Sequence, residues 1–247
     1  MSNQLLAIAY SPWSERARWA LQSRGVAFTL RPYSPLLGEP ELRWRLKQWS
    51  GPVSVPVLLT ETGALADSWR IAQFAAAQGD GPTLFPAGQE RAIAAWNAES
   101  ERGLAAGRSL SLARVLRDPA ALKEMVPRPL RTMPGAAQIA AAGVKRTLAK
   151  YGATAQGNAE VLVDVLNGLR RDLAQSPSQA EPRTLLAEFS YADITMTQVL
   201  AFVMPPDSGL KIGHANRAAF TDGQIAAQYP DLLAWRDAIY AKYRDAG

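Results

Sequence analysis

The 247-residue sequence predicts an α/β N-terminal domain, residues 1–80, followed by an all-α C-terminal domain, residues 89–247. Two observations carry this expectation. Over the first 80 residues the apolar positions alternate between short continuous runs and helical spacing, in the order β-α-β-α-β-β-α. After a glycine- and proline-dense stretch, Gly79 to Gly88, every clearly patterned segment has a helical period.

Taken in order, Leu5-Leu6-Ala7-Ile8-Ala9 reads as a buried strand. Ser11-Pro12 follows as an N-cap and first helical residue, with Trp13, Ala17, Ala20 and Leu21 inward and Glu15, Arg16, Arg18 and Gln22 between them, until Gly25 ends the helix. Val26 to Leu30 is a second strand, Glu39 to Trp49 a short helix and Val55 to Thr60 a third strand. Glu61-Thr62-Gly63 makes a turn into a brief strand, Ala64 to Ala66, and Asp67 to Gln78 is a helix with Ile71, Phe74 and Ala75 inward. Beyond the linker, helices are expected from Gln89 to Leu116, over the stripe Val161, Leu162, Val165, Leu166, Leu169 and Leu173, from Ser190 to Met204, and from Pro230 to Arg244. Between Asp118 and Tyr151 the pattern is broken by Pro127, Pro129 and Pro134, with a short helix expected from Ala136.

Composition removes several chemistries. There is no cysteine, which excludes disulfides, thiolate metal sites, C-x-x-C redox pairs and a cysteine nucleophile. The one histidine, His214, sits in a glycine- and proline-rich stretch and reads as a loop residue; no G-x-S-x-G elbow accompanies it, so neither a metal cluster nor a Ser-His-Asp triad is expected. The formal charge is +5, but Lys and Arg are dispersed without a basic block, so a solvated surface is expected rather than a nucleic-acid interface. No apolar run approaches the roughly 18–20 residues of a membrane helix, and the opening Met1 to Ala9 lacks the basic and apolar regions of a leader. A cytoplasmic location is therefore expected.

Four groups of residues, in order, carry a resemblance. Tyr10-Ser11-Pro12-Trp13-Ser14-Glu15-Arg16-Ala17-Arg18-Trp19-Ala20-Leu21 resembles the catalytic strand-to-helix turn of glutathione transferases of the serine and cysteine types. Val55-Pro56-Val57-Leu58 and Ala66-Asp67-Ser68, with Ile71, resemble the rest of that family's glutathione-binding half. Leu84-Phe85-Pro86 with Arg91-Ala92 and Trp96 resembles its interdomain linker and first helix of the second domain. Phe189-Ser190-Tyr191-Ala192-Asp193-Ile194 and Tyr229-Pro230-Asp231-Leu232 with Trp235 resemble its helical-domain capping motif and last helix. Together these cover residues 4–100 and 185–244.

The resemblance implies a thioredoxin-like glutathione-binding domain joined to a helical domain that shapes the second-substrate pocket. A hydroxyl at the amino end of a helix favours an adjacent anion, and lowering a thiol from about 8.5 by one or two units makes most of it nucleophilic at neutral pH. The family carries this out from the Ser11 position; Ser14 and Tyr10 are rivals for the same hydrogen bond. A cis Val55–Pro56 bond is implied, with the Val55 N–H and C=O pairing with the peptide of glutathione. Asp67 and Ser68, which read alone as a helix start, are implied to hold the γ-glutamyl ammonium and carboxylate. Ser54 stands where many relatives carry a lysine or glutamine for the glycine carboxylate; Arg43, Arg45 and Lys47 are the candidate cations nearby, and spacing does not choose among them. Trp13 is a candidate wall of the second-substrate pocket. Ser190-x-x-Asp193 is read as a structural capping box, with Phe189 stapled on Ile194.

The expected function is that of a glutathione transferase attacking a small hydrophobic electrophile, or reducing an organic peroxide, with glutathione as co-substrate and no cofactor. The alternative is a non-catalytic binding or interaction protein of the same fold. The resemblance also implies a homodimer.

Overall fold

The computed structural model describes residues 3–35, 37–151 and 155–245. The N-terminal half holds a four-stranded sheet built from β1 (Asn3–Ala7), β2 (Phe28–Pro32), β3 (Val57–Thr60) and β4 (Gly63–Ala66), in the order β2-β1-β3-β4. β1 runs parallel to β2 and antiparallel to β3, and β3 pairs antiparallel with β4. Three helices flank it: α1 (Pro12–Ser23), α2 (Glu39–Leu46) and α3 (Ser68–Gln78).

Alternation along the strands divides the core. Leu5, Ala7 and Leu58 point into one cluster with Ala17, Leu21, Ile71 and Ala75 of α1 and α3. Leu6 and Val57 point the other way, against Leu42 of α2 and Val53. A run such as Leu5-Leu6-Ala7 is apolar throughout because both faces of β1 are covered.

Several boundaries differ from the sequence expectation, each for a local reason. β1 ends at Ala7, not Ala9, because the Ile8 N–H is taken by the Ser14 hydroxyl and the Ile8 carbonyl by the Ser11 N–H. β2 starts at Phe28, not Val26, because the Val26 N–H still bonds to the Leu21 carbonyl around Gly25, whose φ is +70°. β3 starts at Val57 because proline lacks the N–H that a ladder needs. α2 stops at Leu46, where Lys47 turns left-handed with φ 51°.

The remainder is helical: α4 (Glu90–Val115), α5 (Pro119–Met125), a 3-10 turn at Arg128–Leu130, α6 (Ala136–Tyr151), α7 (Ala155–Ala174), α8 (Tyr191–Val199) with a 3-10 turn at Leu200–Phe202, α9 (His214–Phe220), α10 (Gly223–Gln228) and α11 (Pro230–Tyr243). The segment with the broken pattern thus forms two helices, the first capped by Asp118 through the Ala120 and Ala121 N–H groups. His214 opens α9 and is not a loop residue. Among the described residues, no helix is long and apolar enough to cross a membrane and no group of three acidic or histidine side chains could hold a metal.

α8 lies at the centre, with all nine of its residues buried. It approaches α4 closely because α4 presents Gly103 and Gly107 at that contact: an added Cβ would stand 2.7 Å from a Val199 methyl and 2.5 Å from the Phe202 Cβ. The expected capping box is present: the Asp193 carboxylate accepts from the Ser190 N–H at 2.9 Å and also from the Leu185 N–H at 2.7 Å. Phe189 stacks on Tyr243, with ring centres 4.0 Å apart, and meets Trp19 at 6.1 Å.

Burial pushes the Asp193 carboxyl up to about 6 from 3.8, against the opposing effect of its N–H donors. The folded chain therefore holds a proton that the unfolded chain has lost between these values, so stability from this group is greatest below pH 3.8, declines as pH rises to about 6 and is level above it. Asp193→Asn should flatten that slope in urea unfolding followed across pH. Gly107→Ala should cost about 1–3 kcal/mol by overpacking, read as a lower urea midpoint with an unchanged slope.

Candidate functional site

The sheet register collects the sequence-predicted residues. Leu6 faces Val57 across β1 and β3, and Val57 faces Ala66 across β3 and β4. Neighbouring strands lie about 4.8 Å apart, so the chain ends that follow Leu6, precede Val57 and follow Ala66 leave from one edge within a span of about 10 Å. Those ends are the turn to Ser11, the Val55–Pro56 peptide, and Asp67–Ser68.

At the first end, Ser11 caps α1. Its Oγ accepts from the Ser14 N–H at 3.4 Å, an acceptor role that leaves the hydroxyl proton for another partner. Ser11 is half-buried, whereas Ser14 is fully buried and its Oγ accepts the Ile8 N–H at 3.1 Å, pinning the turn. Tyr10 turns edge-on to Phe220, with ring centres 6.4 Å apart, and burial pushes its phenol up to about 12, so it remains protonated at neutral pH.

At the second end the Val55–Pro56 bond is cis, with Val55 half-buried, Pro56 buried and Ser54 exposed. Glu181–Pro182 is also cis, which the sequence reading did not anticipate.

At the third end, Asp67 caps α3, its carboxylate accepting from the Arg70 N–H at 2.9 Å. Among the described residues, Asp67 is one of two non-glycine residues with positive φ, at +70°, a conformation that persists only where the surroundings enforce it. Ser68 is buried just inside the helix. Behind it, Trp69, Phe85 and Tyr191 form an aromatic trio with ring centres 5.3 to 5.6 Å apart, tying α3 to the linker and to α8. The Leu84 carbonyl accepts the Tyr191 N–H at 2.9 Å, which fixes the linker there. Arg24 locks the start of the same linker through the Ala76, Gly79 and Gly81 carbonyls.

The candidate cations of the α2 region separate. Arg43 holds Glu39 and the Gln48 and Gly51 carbonyls beside Pro52. Arg45 and Lys47 line a different groove with Trp44, Trp49 and Leu59.

The polar side of α1 is not solvated. Glu15, Arg16 and Arg18 are buried, because α1 is packed against α3 and α8. Arg16 donates to Ser100 at 2.9 Å and Thr195 at 2.5 Å and pairs with Glu101, joining α1 to α4 and α8. Glu15 is held by Arg18 and by Arg244 at 2.7 Å. Trp13 spans the same seam: its Nε1–H donates to Glu101 at 2.9 Å, its ring tilts on Phe202 at 6.1 Å, and the Arg108 guanidinium lies 4.9 Å above it. The sequence offered only a weak sign of this burial, a Glu15–Arg18 pair at one-turn spacing amid alanine and tryptophan.

Residues 10–78 match the family model described as glutathione S-transferase, N-terminal domain. A search of curated protein sequences returned no match. Among solved structures, the chain is similar to a glutathione S-transferase domain-containing protein from Marinobacter aquaeolei VT8, at 22% identity and TM-score 0.60, covering 97% of this chain and 98% of that one. A glutathione transferase family member from Pseudomonas fluorescens Pf-5 with bound glutathione is 17% identical with TM-score 0.61, covering 98% and 95%. A glutathione transferase from Phanerochaete chrysosporium is 14% identical with TM-score 0.61, covering 100% and 96%. The fold is thus a thioredoxin-like domain followed by an all-helical domain in the glutathione transferase arrangement.

Arg16 is fully buried but its Glu101 partner is about half exposed, so removing the guanidinium chiefly leaves the buried Ser100 and Thr195 hydroxyls without their charged donor. Arg16→Ala should therefore cost about 1–3 kcal/mol in chemical unfolding, whereas Arg45→Ala, whose Glu41 partner is largely exposed, should cost less than about 1 kcal/mol.

Proposed function

We propose, from the match of residues 10–78 to the glutathione S-transferase N-terminal domain model, that this chain is a glutathione transferase. Residues 1–80 bind the tripeptide, and residues 89–247 hold a small hydrophobic electrophile. The observation that carries the reading is the register Leu6–Val57–Ala66, which sets Ser11, Val55 and Ser68 at one edge of the sheet.

The chemistry follows from the two caps. The Ser11 oxygen accepts from the backbone, so its proton donates to the sulfur of glutathione and stabilises thiolate over thiol, helped by the positive end of α1. Val55 offers its N–H and C=O to the cysteinyl peptide. Ser68 and the first N–H groups of α3 receive the γ-glutamyl carboxylate, and Asp67 faces its ammonium. The thiolate attacks the electrophile's carbon, forming a C–S bond as the leaving group departs with its electron pair. With an organic peroxide it attacks oxygen, the O–O bond breaks and the alcohol leaves, giving glutathione sulfenic acid; a second glutathione then condenses with it, releasing water and glutathione disulfide. Trp13 walls the electrophile's side of the cleft. Glutathione acts here as co-substrate, without a cofactor. The same reading places the protein in the cytosol as a homodimer, for which the exposed Trp44 and Trp49 side chains supply apolar surface.

Turnover of a generic aryl halide with glutathione should fall about 10²-fold or more in Ser11→Ala, the scale for losing one donor aimed at developing charge; equal rates would remove Ser11 from this role. In calorimetry, wild type should bind glutathione and the Asp67→Ala, Ser68→Ala double variant should not. Binding without turnover would favour the alternative, a non-catalytic glutathione-binding protein, to which the serine at position 54 also leans.

A further inference from the structure

Tyr191 opens α8 with a fully buried side chain that three contacts hold in place. Its N–H donates to the Leu84 carbonyl at 2.9 Å, its ring stacks on Phe85 with centres 5.5 Å apart, and Trp69 meets it edge-on at 5.6 Å. The phenol oxygen at the end of that ring makes no well-formed hydrogen bond. A hydroxyl withdrawn from water and left unpaired opposes folding, and phenylalanine would fill the same aromatic slot without that penalty. Packing alone does not account for the hydroxyl.

The neighbours of the oxygen supply a reason. Burial pushes the phenol above its ordinary value of 10.0, Arg16 and the Ser68 hydroxyl pull it back, and the Glu101 and Asp67 carboxylates push it up again. The phenol therefore stays protonated at neutral pH, a donor placed where α1, α3, α4 and α8 meet. Among these four neighbours Ser68 alone acts through hydrogen bonding, from within reach of the phenol but without full hydrogen-bond geometry. Arg16 is committed to Ser100, Thr195 and Glu101, and the Asp67 carboxylate to the Arg70 N–H. The open pairing is between two hydroxyls, Tyr191 and Ser68. Ser68 is the first residue of the 11-residue α3 and only 2% exposed, at the helix end that favours an anion.

We propose that Tyr191 is a positioning residue for the γ-glutamyl carboxylate of glutathione, completing a relay in which Tyr191 donates to Ser68 and Ser68 donates to the carboxylate. This rests on the glutathione-binding reading above. A bound carboxylate draws the Ser68 proton toward itself, and the Ser68 oxygen, richer in charge, accepts from the phenol. Folding carries the unpaired phenol, and binding pairs it. The helical half thereby takes part in holding the tripeptide through the first side chain of α8, without touching the ligand.

The test compares wild type with Tyr191→Phe, which removes only the hydroxyl, by calorimetry and urea unfolding. The ligands are glutathione and 4-aminobutyrylcysteinylglycine, an analogue that keeps the thiol and the ammonium but lacks the carboxylate assigned to Ser68. Tyr191→Phe should raise the glutathione Kd about 3- to 10-fold, the scale of one hydrogen bond gained on binding, and leave affinity for the analogue as in wild type. The ligand-free urea midpoint should equal or exceed that of wild type, because the lost hydroxyl had no full partner. An unchanged glutathione Kd overturns the proposal, as does a lower midpoint or equal weakening toward both ligands, and each of these leaves the glutathione site standing. Failure of wild type to bind glutathione removes the underlying reading and this inference with it.

Discussion

The pairing of β1 with β3, and of β3 with β4, is the constraint from which the site descends. A slip of one residue would turn Leu6 and Val57 from the α2 face to the α1 face and carry Ser11, Val55 and Ser68 out of alignment. The register is held because both faces of β1 are buried: Leu5 and Ala7 are needed on one side and Leu6 on the other. A two-residue turn, Glu61–Thr62, between Thr60 and Gly63 fixes the second pairing and thereby the point where α3 begins. The location of the candidate site is thus a consequence of core packing.

The second layer of constraint is electrostatic. Charges buried on α1 carry a desolvation cost that only good geometry offsets. Arg16 meets this with Ser100, Thr195 and Glu101, and Glu15 with Arg18 and Arg244. The partners come from α4, α8 and the end of α11, so the polar side of one short helix sets how the sheet-bearing half sits against the helical half. Trp13 shares Glu101 with Arg16, which ties the Trp13 side chain to the same network. The orientation of α1, and with it the aim of the Ser11 hydroxyl, is coupled to the helical half.

Both helix starts at the sheet edge use their caps economically. Ser11 and Asp67 each satisfy an orphan N–H of the first turn through an oxygen. The proton of Ser11 and the charge of Asp67 stay available, so structural and functional readings of these residues coexist. Ser14 is different: it is buried and its oxygen is committed to Ile8. Position within one helical turn separates a half-buried hydroxyl, Ser11, from one that pins the backbone, Ser14.

Local chemistry made much of this legible. The order of strands and helices, the caps at Ser11, Asp67 and Ser190, and the break at Gly79 to Gly88 follow from periodicity, capping and turn propensity, which act over a few neighbouring residues. Strand ends were displaced by two residues because turn hydrogen bonds, as at Ile8 and Val26, compete with the ladder. Only tertiary structure decided that Glu15, Arg16 and Arg18 are buried and that Arg146 meets Glu39 beside Arg43. The physical reason is distance: these outcomes depend on partners about a hundred residues or more away, such as Glu39 for Arg146 and Thr195 for Arg16, and no local pattern encodes which remote side chain will be there to neutralise a charge.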